Sequence, residues 1–104
     1  MGEIEYYEIA LVEDLPVGER QFIEVDGKPI VIFNIAGEYY GMSDVCTHDG
    51  GPVGDGELEG YAVICPRHGA RFDVRTGKVL AAPAVIDVQS YPIRVVDGKI
   101  EIGL

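Results

Sequence analysis

Two short segments decide the fold of this chain: Cys46-Thr47-His48 and, sixteen residues further on, Cys65-Pro66-Arg67-His68. Each segment, called a clip below, offers one thiolate and one imidazole, and the two clips hold both cysteines and both histidines of the 104-residue sequence. Thiolate and imidazole are the side-chain ligands that zinc, copper and iron centres take. The spacing therefore predicts a metal centre bound by Cys46, His48, Cys65 and His68.

Three alternative roles for these four residues remain open from the spacing alone. A tetrahedral zinc site is the most serious, because zinc takes the same ligand types; structural zinc sites, however, usually pair like with like, whereas each clip here mixes the two. A Cys46–Cys65 disulfide would leave the placement of the histidines unexplained. A cysteine nucleophile activated by histidine would need an orienting third group, and the sequence indicates none.

The pattern Cys-x-His followed by Cys-x2-His resembles that of the Rieske-type ferredoxins, and the resemblance covers nearly the whole chain. In that family two cysteines hold one iron of a [2Fe–2S] cluster and two histidines hold the other. The resemblance implies one such cluster, with Cys46 and Cys65 on the first iron and His48 and His68 on the second. The histidine iron would lie near solvent, which would make the two histidines the exit route for the electron.

The function that this resemblance implies is electron transfer rather than catalysis. The chain would take electrons from a flavin-containing reductase and deliver them, one at a time, to a terminal Rieske non-haem iron oxygenase of a bacterial ring-hydroxylating system. A small Rieske-like subunit of an assimilatory nitrite reductase and a structural zinc-binding module are the alternatives. A cluster-free subunit is disfavoured because all four ligands are intact.

Two departures from the high-potential members of that family indicate a low-potential centre. Those members carry an additional cysteine in each clip, joined as a disulfide; the corresponding positions here are Gly51 and Arg67, so that brace is expected to be missing. They also place a serine and a tyrosine after the second histidine, whose hydroxyls donate to cluster sulfur and stabilise the reduced state. Ala70 and Phe72 stand at these positions and cannot donate.

Size and charge limit the remaining possibilities. A chain of 104 residues with 47% hydrophobic residues predicts one domain, 1–104, with the metal-binding loops within 44–72. The net charge of -10 argues against nucleic acid and anionic membranes as partners. No apolar run approaches the ~18 residues of a membrane span and the first residues do not resemble a signal peptide, so a cytoplasmic protein is expected. Two interpretations of the acidic residues near the clips stay open, an acidic rim and ordinary solvated loop charges; the residues are Asp44, Asp49, Asp55, Glu57 and Glu59.

The remaining sequence predicts short strands joined by tight turns. Asp26-Gly27 and Asp97-Gly98 favour two-residue hairpin turns, and the strands that flank them are predicted at 21–25, 28–35, 91–96 and 99–102. The pattern also includes a strand from Tyr6, a meander as far as Met42 and a further hairpin around Arg75-Thr76-Gly77. The glycine-rich stretch 50–60 predicts a loop. We therefore predict an all-β fold, an antiparallel sandwich or barrel of short strands with a small cluster-binding subdomain of two loops.

Overall fold

The structure, a computed structural model, describes residues 4–104. Over this range the chain forms strands and one short 3-10 turn at Val12–Asp14, with no α-helix and hence no helix long and apolar enough to cross a membrane. The strands are β1 Tyr6–Leu11, β2 Arg20–Val25, β3 Lys28–Ile35, β4 Glu38–Ser43, β5 Leu58–Glu59, β6 Ala62–Ile64, β7 Arg71–Asp73, β8 Val79–Ala81, β9 Ser90–Tyr91, β10 Ile93–Val96 and β11 Lys99–Gly103.

These strands build three sheets whose neighbouring strands are all antiparallel, so the predicted all-β class is confirmed. The terminal sheet has the order β1-β11-β10, the central sheet β2-β3-β4-β9 and the clip sheet β5-β6-β7-β8. The expected meander is formed by β2, β3 and β4. Strand β1 lies outside it and pairs with β11, which joins the two ends of the described chain.

Strand β3 separates two hydrophobic cores. Side chains alternate between the two faces of a strand. On one face, Ile30 and Ile32 pack with Ile100 and Ile102 of the terminal sheet. The other face belongs to a second core, the clip-side core, which contains Val31 and Phe33, both clip cysteines and buried residues of the clip sheet. The central sheet is thus the layer on which the clips rest.

The two Asp-Gly pairs adopt the backbone that the sequence predicts. Asp26 and Gly27 have φ values of 52° and 76°, and Asp97 and Gly98 have 52° and 75°. Positive φ at both central residues is the signature of a type I′ turn, whose twist matches that of the flanking strands. Both hairpins are therefore confirmed, between β2 and β3 and between β10 and β11.

Two predictions of strands were wrong. The single strand expected over 91–96 is divided at Pro92: β9 pairs with β4 in the central sheet, whereas β10 pairs with β11 in the terminal sheet. Proline has no N–H to donate to a ladder, so the chain changes sheets at this residue. The glycine-rich stretch also contains β5, because Leu58 and Glu59 pair with β6 despite the surrounding glycines.

Candidate metal centre

The first clip lies in the loop that follows β4, and its backbone is held on both sides. The N–H of Cys46 donates to the carbonyl of Gly51 at 2.7 Å, and the N–H of Gly50 donates to the carbonyl of Cys46 at 2.7 Å. The carboxylate of Asp44 accepts from the N–H groups of Val53 and Gly54, at 3.0 and 2.6 Å. These bonds turn the chain sharply around Cys46, as the glycine content of the loop permits.

The second clip lies between β6 and β7 of the clip sheet. The N–H of Cys65 donates to the carbonyl of Ala70 at 2.7 Å, and the N–H of Gly69 donates to the carbonyl of Cys65 at 3.0 Å. Gly69 has a φ of 76°, a conformation that glycine adopts without the steric cost that a Cβ would bring. The loop therefore folds back on itself and projects Pro66, Arg67 and His68 outward, where all three are exposed.

The structure brings like ligands together and separates unlike ones by burial. Cys46 and Cys65 are free thiols, 0% and 1% exposed in the clip-side core. The imidazoles of His48 and His68 face each other with ring centroids 5.0 Å apart, and both residues are exposed. The centre thus has a sulfur side inside the protein and a nitrogen side toward solvent.

Distances argue against a single ion shared by all four ligands. The group of ligand atoms that all lie within 4.8 Å of one another consists of Cys46, Asp49 and Cys65, and neither histidine belongs to it. A tetrahedral zinc ion with bonds of about 2.0–2.3 Å needs every pair of its ligand atoms within roughly 4 Å. Two sulfurs side by side and two imidazoles further out match a centre with two metal ions instead.

The acidity of the Cys46 thiol is set by its surroundings. Burial, as the largest effect, raises the pKa of the Cys46 thiol above its ordinary value, and the neighbouring Cys65 raises it further, while backbone hydrogen bonds from the loop oppose the shift. A metal ion binds the thiolate, so binding has to displace this proton. A raised pKa leaves less thiolate at neutral pH, so the shift does not favour a free nucleophile.

Two residues of the site were not predicted in the roles that the structure gives them. Asp49 was placed only in an acidic rim, and Arg67 only at the position of a missing brace. In the structure the guanidinium of Arg67 donates to both carboxylate oxygens of Asp49, at 2.6 and 2.9 Å. The sequence did not indicate this ion pair, because its two residues are eighteen positions apart and belong to no periodic pattern.

A third loop, between β8 and β9, reaches the first clip. The hydroxyl of Thr47 donates to the backbone carbonyl of Ile86, and Ala84 is buried in the clip-side core with both cysteines. Pro83 itself is exposed. Val85 and Ile86 are apolar side chains left 83% and 62% exposed next to this contact, so the solvent side of the clips has an apolar flank.

Comparison with known proteins identifies the group to which these features correspond. A family model described as the Rieske [2Fe-2S] domain matches residues 5–92. The ferredoxin component of the naphthalene 1,2-dioxygenase/salicylate 5-hydroxylase systems of a Ralstonia species is 38% identical over 90 residues, which are 86% of each chain. The 3-phenylpropionate/cinnamic acid dioxygenase ferredoxin subunit of Escherichia coli K12 is 39% identical over 95 residues, 89% of this chain and 88% of that one.

A solved structure gives the same answer for the fold. The ferredoxin of carbazole 1,9a-dioxygenase from Nocardioides aromaticivorans IC177 superposes with a TM-score of 0.87 at 28% identity, and the alignment covers 93% of this chain and 95% of that one. The match spans the terminal, central and clip sheets together. The similarity therefore extends over 93% of the chain and is not confined to the clips.

Proposed function

Since the chain belongs to the Rieske [2Fe-2S] domain family, we propose that it is the one-electron carrier of a multicomponent oxygenase system. The family match over residues 5–92 gives the cofactor, one Rieske [2Fe–2S] cluster. The relatives at 38% and 39% identity are named as ferredoxin components of dioxygenase systems, and the alignments cover 86% and 88% of those relatives. Those are electron-transfer components rather than the catalytic subunits.

We assign the cluster ligands to the four predicted residues. Cys46 and Cys65 would hold the inner iron and His48 and His68 the outer iron. The observation that carries this assignment is the separation of the donors: the thiols lie close together and buried, the imidazoles close together and exposed. When bound, such a cluster supplies a one-electron couple whose potential is raised by replacing two thiolates with neutral imidazoles.

The protein's own residues then determine how the electron is exchanged. The buried cysteines keep water away from the sulfur side of the site. The side chain of His68 is 47% exposed, and the clip that carries His48 is flanked by the exposed Ile86. An imidazole at the surface with apolar residues beside it suits brief contact with another protein. Such contact shortens the distance that the electron travels between the cluster and that protein.

The finer parts of this proposal concern partners, place and organisation. We propose that a flavin-containing reductase donates the electron, that a terminal Rieske non-haem iron oxygenase accepts it and that the exchange takes place in the cytoplasm. The chain would act as a single domain over 1–104, with the cluster loops within 44–72. The names of the relatives support an oxygenase system over a nitrite reductase.

Purified protein and four ligand variants test the assignment directly. We expect the native protein to bind two irons and two acid-labile sulfides, and Cys46→Ser, His48→Ala, Cys65→Ser and His68→Ala each to lose the visible absorption and the electron-spin signal of the cluster. Zinc in place of iron, or an unchanged spectrum in any variant, would contradict the assignment. Glu13→Gln, in the 3-10 turn at Val12–Asp14, is the control and should retain the spectrum.

The carrier role has its own test. Reduction of the native protein by a candidate reductase should consume one electron per molecule, and addition of a terminal oxygenase should reoxidise it. A protein that is reduced but passes no electron to any oxygenase, and instead activates a nitrite reductase, would show that the alternative function is correct.

A further inference from the structure

The two clips share one backbone framework although their ligands are spaced differently. In each clip the N–H of the cysteine donates to the carbonyl five residues later, Gly51 in the first and Ala70 in the second, at 2.7 Å in both. In each, the glycine four residues after the cysteine donates back to the cysteine carbonyl and has positive φ, 78° at Gly50 and 76° at Gly69. The clips can therefore be matched position by position, counting from the cysteine.

This matching relates two side-chain pairs that cross from one clip to the other. His48, two residues after its cysteine, faces His68, three residues after its own. Arg67, two residues after its cysteine, binds Asp49, three residues after its own. The ion pair is thus the counterpart of the histidine pair with the two clips exchanged. The histidine pair is assigned to the metal, and the pair of Asp49 and Arg67 is a direct contact between the clips.

The contact between Asp49 and Arg67 is held at several points. Nε and Nη2 of Arg67 donate to the two carboxylate oxygens of Asp49 at 2.6 and 2.9 Å, and one of these oxygens also accepts from the N–H of Gly51 at 2.9 Å. A guanidinium that binds a carboxylate through two parallel hydrogen bonds is both stronger and more directional than a single bond. The same contact holds the pKa of the Asp49 carboxyl well below its usual range.

Gly51 leaves the space that the guanidinium occupies. A Cβ added at Gly51 would lie 2.8 Å from both Cζ and Nη2 of Arg67. The sequence predicts only that no disulfide joins positions 51 and 67, and the structure has an ion pair at this place. Neither position holds a cysteine, so no disulfide joins them, but the two residues are in contact and the clips are joined there by the ion pair.

The ion pair also lies beside both kinds of metal ligand. Oδ2 of Asp49 is 3.4 Å from Nε2 of His68. A carboxylate oxygen of Asp49 also lies within 4.8 Å of the sulfur atoms of Cys46 and Cys65. One positive and one negative charge therefore stand next to the centre, and their sum is zero.

From this geometry we propose that Asp49 and Arg67 are positioning residues that brace the two clips at the separation the cluster requires, with opposite charges that leave its reduction potential nearly unchanged. The proposal rests on the ligand assignment proposed above. A covalent brace would constrain the clips in the same way. An ion pair differs in that loss of either partner leaves the charge of the other beside the centre, and this charge shifts the reduction potential.

Chelation of the loaded protein measures the brace. The variants are Asp49→Asn, Arg67→Met, the double variant and Arg67→Lys, which keeps the charge but not the fork. In excess chelator we expect the single variants to lose cluster absorption roughly two- to fivefold faster than the native protein, the range of a partly exposed ion pair. Because the two residues are in direct contact, the double variant should lose absorption more slowly than the product of the single effects predicts. Arg94→Met, which removes the ion pair with Glu101 in the terminal sheet, is the control and should match the native rate.

Reduction potentials distinguish this role from a general loosening of the loop. Asp49→Asn leaves a positive charge and should raise the midpoint potential, Arg67→Met leaves a negative charge and should lower it, and the double variant and Arg67→Lys should return close to the native value. Shifts of one sign in both single variants, or release rates equal to those of Arg94→Met, would overturn the brace. A native protein without the cluster spectrum would refute the ligand assignment instead.

Discussion

Ala70 and Phe72, the residues that follow the second histidine, border the metal centre without a side chain that can donate a hydrogen bond. Both are completely buried in the clip-side core with the two cysteines, and the carbonyl of Ala70 accepts the N–H of Cys65 at 2.7 Å. Hydrogen bonds to cluster sulfur stabilise the additional negative charge of the reduced state. Their absence from these two side chains supports the expectation of a low potential, which stays a prediction.

Replacing Ala70 by serine tests this expectation at a single residue. The hydroxyl would be buried next to Cys65, where the sulfur of the bound cluster is the acceptor that the proposed site offers, so the midpoint potential should rise. A redox titration followed by visible absorption measures it. In the apoprotein the same hydroxyl lacks that acceptor, and unfolding should become easier by about 1–3 kcal/mol.

The matched control for this substitution is Ala62→Ser in β6, which is partly buried in the clip sheet but outside the clips. Its midpoint potential should equal that of the native protein. A potential that falls in Ala70→Ser, or an equal rise in Ala62→Ser, would show that hydrogen bonding near the second clip does not set the potential.

At the scale of elements, the turn between β7 and β8 connects the clip sheet to the third loop. The N–H of Gly77 donates to the carbonyl of Asp73, and the N–H of Val88 donates to the carbonyl of Gly77, both at 2.7 Å. A Cβ on Gly77 would collide with the carbonyl oxygen of Val88. Close approach of two backbones therefore holds the loop that covers the first clip.

Two glycines with almost the same φ allow the effect of backbone strain to be distinguished from the effect of this collision. Gly77 has a φ of 79° and Gly98 one of 75°, but a Cβ on Gly98 would meet no atom within 4 Å. We expect Gly98→Ala to destabilise the protein by about 1–2 kcal/mol, from the left-handed conformation alone. Gly77→Ala should cost about 1–3 kcal/mol more, because the backbone has to shift.

Thermal unfolding followed by circular dichroism compares the two variants with the native protein. For a domain of this size each additional kcal/mol lowers the Tm by roughly 4–8 °C. Equal Tm values for the two alanine variants would show that the contact between the turn and the third loop contributes nothing to stability.

For the whole molecule, the net charge of -10 is the dominant surface property. Some of the carboxylates near the clips, however, bind backbone N–H groups or arginines. Asp44 accepts backbone N–H groups, and Asp49 and Glu59 bind arginines. Asp55 and Glu57 are exposed and line the same groove as Cys65. The acidic rim near the clips is therefore formed by fewer free carboxylates than the sequence indicates.

An acidic carrier should recognise partners through their basic surface, which makes the rate of electron transfer depend on salt. Stopped-flow reduction by a reductase, or oxidation by an oxygenase, should slow as ionic strength rises from about 0.01 to 1 M, over which the Debye length falls from about 30 to 3 Å. Asp55→Asn/Glu57→Gln should reduce the rate at low salt more than Glu13→Gln/Asp14→Asn, which removes the same charge at the 3-10 turn. A rate that does not depend on salt would exclude charge as the basis of recognition.

The local features of this protein follow from its residues and their near neighbours in the chain. The turns at Asp26-Gly27 and Asp97-Gly98 depend on the φ values open to single residues, and the four candidate ligands depend on the chemistry of Cys and His, so neighbours a few positions away suffice to predict both. The resemblance of the clips to one family allowed the fold to be predicted as well.

Which distant segments meet is a property of the packed fold. The pairing of β9 with β4 and of β10 with β11 on either side of Pro92, and the ion pair between Asp49 and Arg67, join residues far apart in the chain. Pairing of strands and of charges depends on the whole packed arrangement, and neither a period nor a motif encodes it. The position of a side chain relative to its partners is the physical quantity that the sequence leaves open.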